Sequence, residues 1–150
     1  MKQPLVFDIE ADGLYDEATK IYCMSYLDGD NGVSTVTRYG DMALLLRGSP
    51  AVVAHNGSQY DIPLIEKLTG FKYEGLVIDT LFLSWYLDPN RPKHGLEDYG
   101  LEFGYPKVVV KGDEWQDGNL DLMIERCERD VEINIKVWQK QRKILKELYR

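Results

Sequence analysis

The chain has 150 residues, 44% of them apolar, which is enough material for one buried core. A formal net charge of −7 and a pI near 4.8 exclude a protein that grips nucleic acid through a broad basic surface, so any such contact must be local. No apolar run approaches the roughly 20 residues of a membrane span, and Met-Lys-Gln-Pro-Leu at the start lacks a signal peptide's apolar stretch, so one soluble, cytoplasmic domain spanning residues 1–150 is expected.

Residues 4–11 hold Leu5-Val6-Phe7 and Ile9 and end on Asp12-Gly13, a turn signal, which predicts a first strand. Two further β-type runs, 20–27 and 33–39, are joined by Asp28-Gly29-Asp30-Asn31-Gly32, whose Gly and Asn residues suit a short hairpin. The three should form an antiparallel meander. Residues 41–47 read as a short helix and 51–54 as a buried strand, which feeds His55-Asn56-Gly57-Ser58, a helix-start signal. That helix is expected to end near 68. Residues 76–78 form another short strand, after which Asp79 and Thr80 cap a helix ending at the Asp88-Pro89 stop.

A short helix is predicted over 95–101, and 104–118 has no clean period, which suits a loop with an extended piece at 108–110. Residues 119–149 read as one helix, with Ile124, Cys127, Val131, Ile135 and Trp138 spaced as a buried stripe and with Lys and Arg gathered in its last turns. A meander followed by alternating helices and strands makes a mixed α/β sheet with helices on both faces. Cys23 and Cys127 sit in apolar patterns and read as small buried hydrophobes, not as a disulfide or metal site.

Asp8 and Glu10 are two residues apart on the first strand, so both carboxylates leave the same face of an otherwise apolar segment. Like charges so close oppose each other's ionisation unless a cation is present, and hard divalent cations prefer such oxygen ligands. Taken singly, the pair also suits a solvent-facing strand edge. Asp61, just past a strand's carboxyl end, stands where α/β sheets place ligand groups, and equally where a helix begins. Asp130 flanks the stripe of the last helix and suits either a cleft or a surface ion pair.

In combination, Asp8-Ile9-Glu10, then Asn56 with Tyr60-Asp61, then Asp130 on a late helix resemble the three motifs of the DEDD, or DnaQ-like, 3′→5′ exonuclease superfamily. Phe7-Asp8-Ile9-Glu10-Ala11, His55-Asn56-Gly57, Ile78-Asp79-Thr80-Leu81 and His94-Gly95-Leu96-Glu97 look closer still to the proofreading domain of phage-type family-A DNA polymerases, over residues 5–138. The resemblance implies a ribonuclease-H-like fold, a three-stranded antiparallel meander plus two parallel strands. It further implies that Asp8, Glu10, Asp61 and Asp130 hold two divalent cations, Mg²⁺ or Mn²⁺, for hydrolysis that releases nucleoside 5′-monophosphates from single-stranded or frayed DNA 3′ ends. A DNA polymerase becomes a candidate partner, and the cytoplasm of a bacterium or phage-infected cell the expected compartment.

Further roles follow from the same resemblance. Leu14 matches a residue that wedges between terminal bases and Tyr60 an aromatic wall beside the terminal nucleotide, against ordinary core packing for both. Asn56 and His94 are candidate substrate contacts, and Asp79 is either a supporting acid or a helix cap. One departure stands out: where the family has a Tyr four residues, or a His five residues, before the last Asp, this chain has Arg126 and Glu125. A guanidinium stays protonated and cannot act as a base, so Arg126 is expected, as a catalytic-site residue, to position the neighbours of the attacking water or bind a phosphate oxygen, or else to mark a slow or altered enzyme. Three rival readings remain: an exoribonuclease or short-oligonucleotide scavenger, a catalytically idle nucleic-acid-binding or polymerase-docking module, and a structural reading in which the acids are solvated surface groups.

Overall fold

The computed structural model describes residues 3–109 and 119–149. In chain order the elements are β1 (Leu5–Ala11), β2 (Ile21–Leu27), a 3-10 turn (Gly29–Asn31), β3 (Val33–Val36), α1 (Tyr39–Arg47), β4 (Ala51–Ala54), α2 (Asp61–Thr69), β5 (Leu76–Asp79), α3 (Thr80–Leu87), α4 (Leu96–Glu102) and α5 (Leu120–Leu148). The strands form one sheet in the order β3-β2-β1-β4-β5. β1–β2 and β2–β3 are antiparallel, and β1–β4 and β4–β5 are parallel. This is the expected ribonuclease-H-like mixed sheet.

The period of two along β1 sorts its side chains between two layers. Phe7, Ile9 and Ala11 join Met24, Val52 and Ala54 with Met42 and Leu46 of α1 and Ile62, Leu64 and Ile65 of α2. Val6 faces the opposite way and meets Val53 and Val131 of α5. Asp8 and Glu10 share the parity of Val6, so they belong to the layer covered by α5. β1 is also the middle strand of five, which removes the strand-edge alternative for this acidic pair.

Element boundaries moved where tertiary contacts intervene. The strand expected over 33–39 stops at Val36, because Tyr39 opens α1 and its hydroxyl accepts the Ile21 amide. The helix expected from Ser58 starts at Asp61, residues 55–60 being taken up by turns in which Asn56 has φ 62°. Gly57 is required there, since a Cβ would overlap that of Ala54. Val108 and Val109 are coil, not strand, and the rest of that expected piece, Val110, lies outside the described residues.

The buried line of α5 also differs from the apolar stripe. Cys127 and Val131 are buried, but Ile124, Ile135 and Trp138 are only half-buried, and the line instead holds Met123, Asp130, Ile133, Asn134, Val137 and Gln141. The reason is that α5 is covered twice. The sheet packs on one side, and α4 packs Leu96 and Tyr99 against Ile133 and Val137 on another. Asn134 and Gln141 are admitted by Thr80 of α3: its hydroxyl donates to Asn134 Oδ1 (2.7 Å), and Gln141 Nε2 donates to its carbonyl (2.9 Å). Cys23 and Cys127 are both buried, with free thiols. Among the described residues no helix is long and apolar enough to cross a membrane.

Candidate active site

With α5 laid across β1, Cys127 Sγ approaches the Asp8 carbonyl at 3.2 Å. Asp130, three residues further along the helix, then arrives at the acidic pair on β1. Oxygens of Asp8, Glu10 and Asp130 all lie within 4.8 Å of one another. Asp61, the first residue of α2, is buried and stands outside this tight group, but its charge is felt at Asp8. Three of the four expected acids therefore converge, and the fourth adjoins them.

Their ionisation is opposed. Asp8 is pushed well above the usual carboxylate range by burial and then by Asp61, Asp130 and Glu10. Burial raises Glu10 to about 7 against the pull of Arg126. Asp61 is raised to about 8, again chiefly by burial, with the Ile9 amide working the other way. Asp130 is raised by burial and held back by Lys107. Two oxygens, Asp61 Oδ2 and Asp130 Oδ1, are buried without a hydrogen-bond partner among the described residues. Clustered carboxylates that resist ionisation and keep unsatisfied oxygens are chemically suited to hard divalent cations, which take oxygen ligands and supply the missing positive charge. The residues present fit such a group.

Two basic side chains lean into the cluster. Arg126 Nε lies 3.5 Å from Glu10 Oε1, so the residue at the departure from the family motif faces the acids, as its position one turn before Asp130 requires. Lys107 Nζ lies 3.3 Å from Asp130 Oδ2. Lys107 was invisible to pattern reading, because it comes from the aperiodic stretch after α4 and carries no motif.

The surrounding loops are fixed by side-chain hydrogen bonds. Asp79 at the end of β5 accepts from the Asn56 amide (2.9 Å), the Ser58 amide (3.1 Å), the Ser58 hydroxyl (2.6 Å) and the Leu81 amide (3.0 Å). It is thus both the cap of α3 and the tether of the turn that carries Asn56 and leads into Asp61. Asp79→Ala is expected to cost about 2 kcal/mol, seen as a lower urea midpoint with an unchanged slope.

Tyr60 is held by its hydroxyl, which donates to the Gly13 carbonyl at 2.7 Å, and its pKa is pushed up to about 12 by burial and then by Asp61. Neighbouring Leu14 is 73% exposed, which rules out core packing for it. His94 is placed differently from expectation. It is buried, its ring stacks on Trp85 (3.8 Å between centroids), and its Nδ1 lies 2.5 Å from the Ser84 hydroxyl. That position is within the α3–α4 packing, not on an open rim.

The sequence pattern of the RNase H superfamily matches residues 5–103. The chain belongs to the RNase H superfamily. This membership agrees with the motif resemblance and with the sheet order described above, and it makes the fold nuclease-like. A DNA-directed DNA polymerase of Enterobacteria phage T3 is 29% identical over 141 residues, an alignment that covers 73% of this chain and 20% of the polymerase. The chain thus spans about a fifth of that relative's length. Brucella melitensis NrnC, also solved bound to pGG, superposes with a TM-score of 0.68 at 15% identity over 93% of this chain and 74% of NrnC. A family B DNA polymerase from the archaeon Pyrobaculum calidifontis gives 0.67 at 15% identity over 91% of this chain and 24% of the polymerase. At such identities the two structures speak to the shared fold.

Proposed function

We propose that this RNase H superfamily chain is a single-domain, divalent-metal-dependent 3′→5′ exonuclease that removes nucleoside 5′-monophosphates from single-stranded or frayed DNA ends. The observation that carries the reading is the convergence of Asp8, Glu10 and Asp130, with buried Asp61 adjoining, where Asp61 Oδ2 and Asp130 Oδ1 have no hydrogen-bond partner among the described residues. The chemistry that divalent cations supply in such a site is an activated water nucleophile and neutralisation of charge on the phosphoryl group and the leaving 3′ oxygen. Asp8, Glu10, Asp61 and Asp130 are the ligands, and Mg²⁺ or Mn²⁺ are the ions, in keeping with an all-oxygen ligand set.

The protein's own groups orient the substrate. Tyr60, anchored on Gly13, offers a ring beside the cluster, and exposed Leu14 on the adjoining loop is free to press against a terminal base. Stacking of this kind is tolerant of sequence, so little base preference is expected. Similarity to the phage T3 polymerase favours DNA and a polymerase partner. Similarity to NrnC, solved with pGG, favours a second reading in which short oligonucleotides are the substrate.

A 5′-labelled single-stranded DNA oligomer and its RNA counterpart, incubated with Mg²⁺, Mn²⁺ or chelator, separate these readings. A metal-dependent ladder that shortens from the 3′ end of DNA is the expected result. Preferential loss of two- to four-residue RNA would favour the scavenger, and no ladder on either polymer with either metal would sink the enzyme.

A further inference from the structure

Beside the acids lies a groove of about 300 Å³ lined by Glu97, Leu101, Pro106, Lys107, Val108, Val109 and Arg126. Its two basic residues are the same Lys107 and Arg126 that reach Asp130 and Glu10. Leu101 and Val109 are 64% and 84% exposed, so the described residues leave their apolar surface uncovered. A groove that sets two cations and a single carboxylate, Glu97, among apolar residues matches a nucleotide, phosphate against the cations and sugar or base against the apolar residues.

Charge balance says when the cations become available. Once fully ionised, the four carboxylates outweigh the one ammonium and one guanidinium found beside them among the described residues by two charges, whereas two dications would overshoot by two. The basic side chains then lose their hold on the acids, and the nearest anion that can replace it is a substrate phosphate.

We propose that Lys107 and Arg126 form a phosphate clamp that rests on Asp130 and Glu10 and is released to the substrate when the acids bind divalent cations. This inference rests on the metal-dependent reading above and deepens it. The clamp makes metal and nucleotide binding mutually reinforcing, and by linkage each tightens the other by the same factor. Arg126, which cannot serve as a base, thereby acquires a positioning role.

Calorimetry with Mg²⁺ alone, thymidine 5′-monophosphate alone, and the nucleotide in saturating Mg²⁺ tests this on the wild type, Lys107→Met, Lys107→Arg and Arg126→Gln. In the wild type Mg²⁺ should tighten the nucleotide about tenfold or more. Lys107→Met and Arg126→Gln should each weaken the nucleotide about tenfold in Mg²⁺, the loss of one charge-assisted contact, while Mg²⁺ alone binds as well or better. Lys107→Arg should keep most of the coupling, and wild-type-like melting curves exclude misfolding.

Unchanged nucleotide affinity in both variants, or weaker Mg²⁺ binding in them, would overturn the clamp and leave these side chains as charge balance for the acids. No Mg²⁺ binding to the wild type would overturn the metal-dependent reading itself, which is a different result.

Discussion

Replacing Asp8 by asparagine is expected to slow 3′-end hydrolysis about a thousandfold while making the metal-free protein more stable at pH 8. Asp8 stands at the centre of the cluster, its pKa raised by burial and by the charges of Asp61, Asp130 and Glu10. Removing its charge deprives a divalent cation of one of its three closest candidate ligands, and the loss of several kcal/mol of transition-state stabilisation follows. The carboxyl resists ionisation in the folded chain when no metal balances it, so an isosteric amide removes that cost at pH 8. A single-turnover assay beside a melting curve in chelator reads both effects. Retained activity, or a lower melting temperature at pH 8, would count against Asp8 as a metal ligand.

Metal-free stability is expected to fall as pH rises from 6.5 to 8, and Mg²⁺ to restore it at the upper end. Glu10 is lifted from 4.5 to about 7 and Asp61 from 3.8 to about 8, both by burial first. A carboxyl with a raised folded-state pKa holds its proton longer in the native state. Its stabilisation is full below the unfolded pKa and is lost as pH rises through the folded value, at roughly 1.4 kcal/mol per pH unit for each group across that window. His55 works oppositely. Burial lowers it to about 4, so it adds stability as pH rises from about 4 to 6.5 and partly masks the carboxylates there. The clean interval is therefore above pH 6.5.

Cation binding favours the ionised cluster and adds about 2.7 kcal/mol when Mg²⁺ is at a hundred times its dissociation constant. Urea denaturation at pH 6.5 and 8, with Mg²⁺ or chelator, measures this directly. A metal-free protein as stable at pH 8 as at pH 6.5 would mean that the acids are solvated after all.

Local sequence carried much of this protein because local geometry has fixed periods. The two-residue repeat put Asp8 and Glu10 on one face of β1, Gly-rich Asp28 to Gly32 closed the first hairpin, and Asp79 and Asn119 marked helix starts that the structure keeps as caps. The order of the acidic motifs also pointed to the right superfamily. Distances between remote segments were decided only by packing. Apolarity alone misdrew the buried line of α5, because Asn134 and Gln141 are admitted by Thr80 on a helix more than 50 residues earlier.

Nothing near Lys107 announces that it will meet Asp130, and nothing near Arg126 that it will meet Glu10. The second contact exists because α5 crosses the face of β1 that carries the acids, burying Val131 against Val6 and Val53, and the first joins the segment after α4 to α5, on which α4 packs. The sequence by itself determined which residues could ligate a cation and on which faces they stand. The tertiary structure decided which of them meet, that Asp61 stays one step outside the tight group, and that the side chains of Lys107 and Arg126 lean into it. Ligation and ion pairing depend on a few ångströms between groups carried by separate segments of the chain, and only tertiary packing sets that separation.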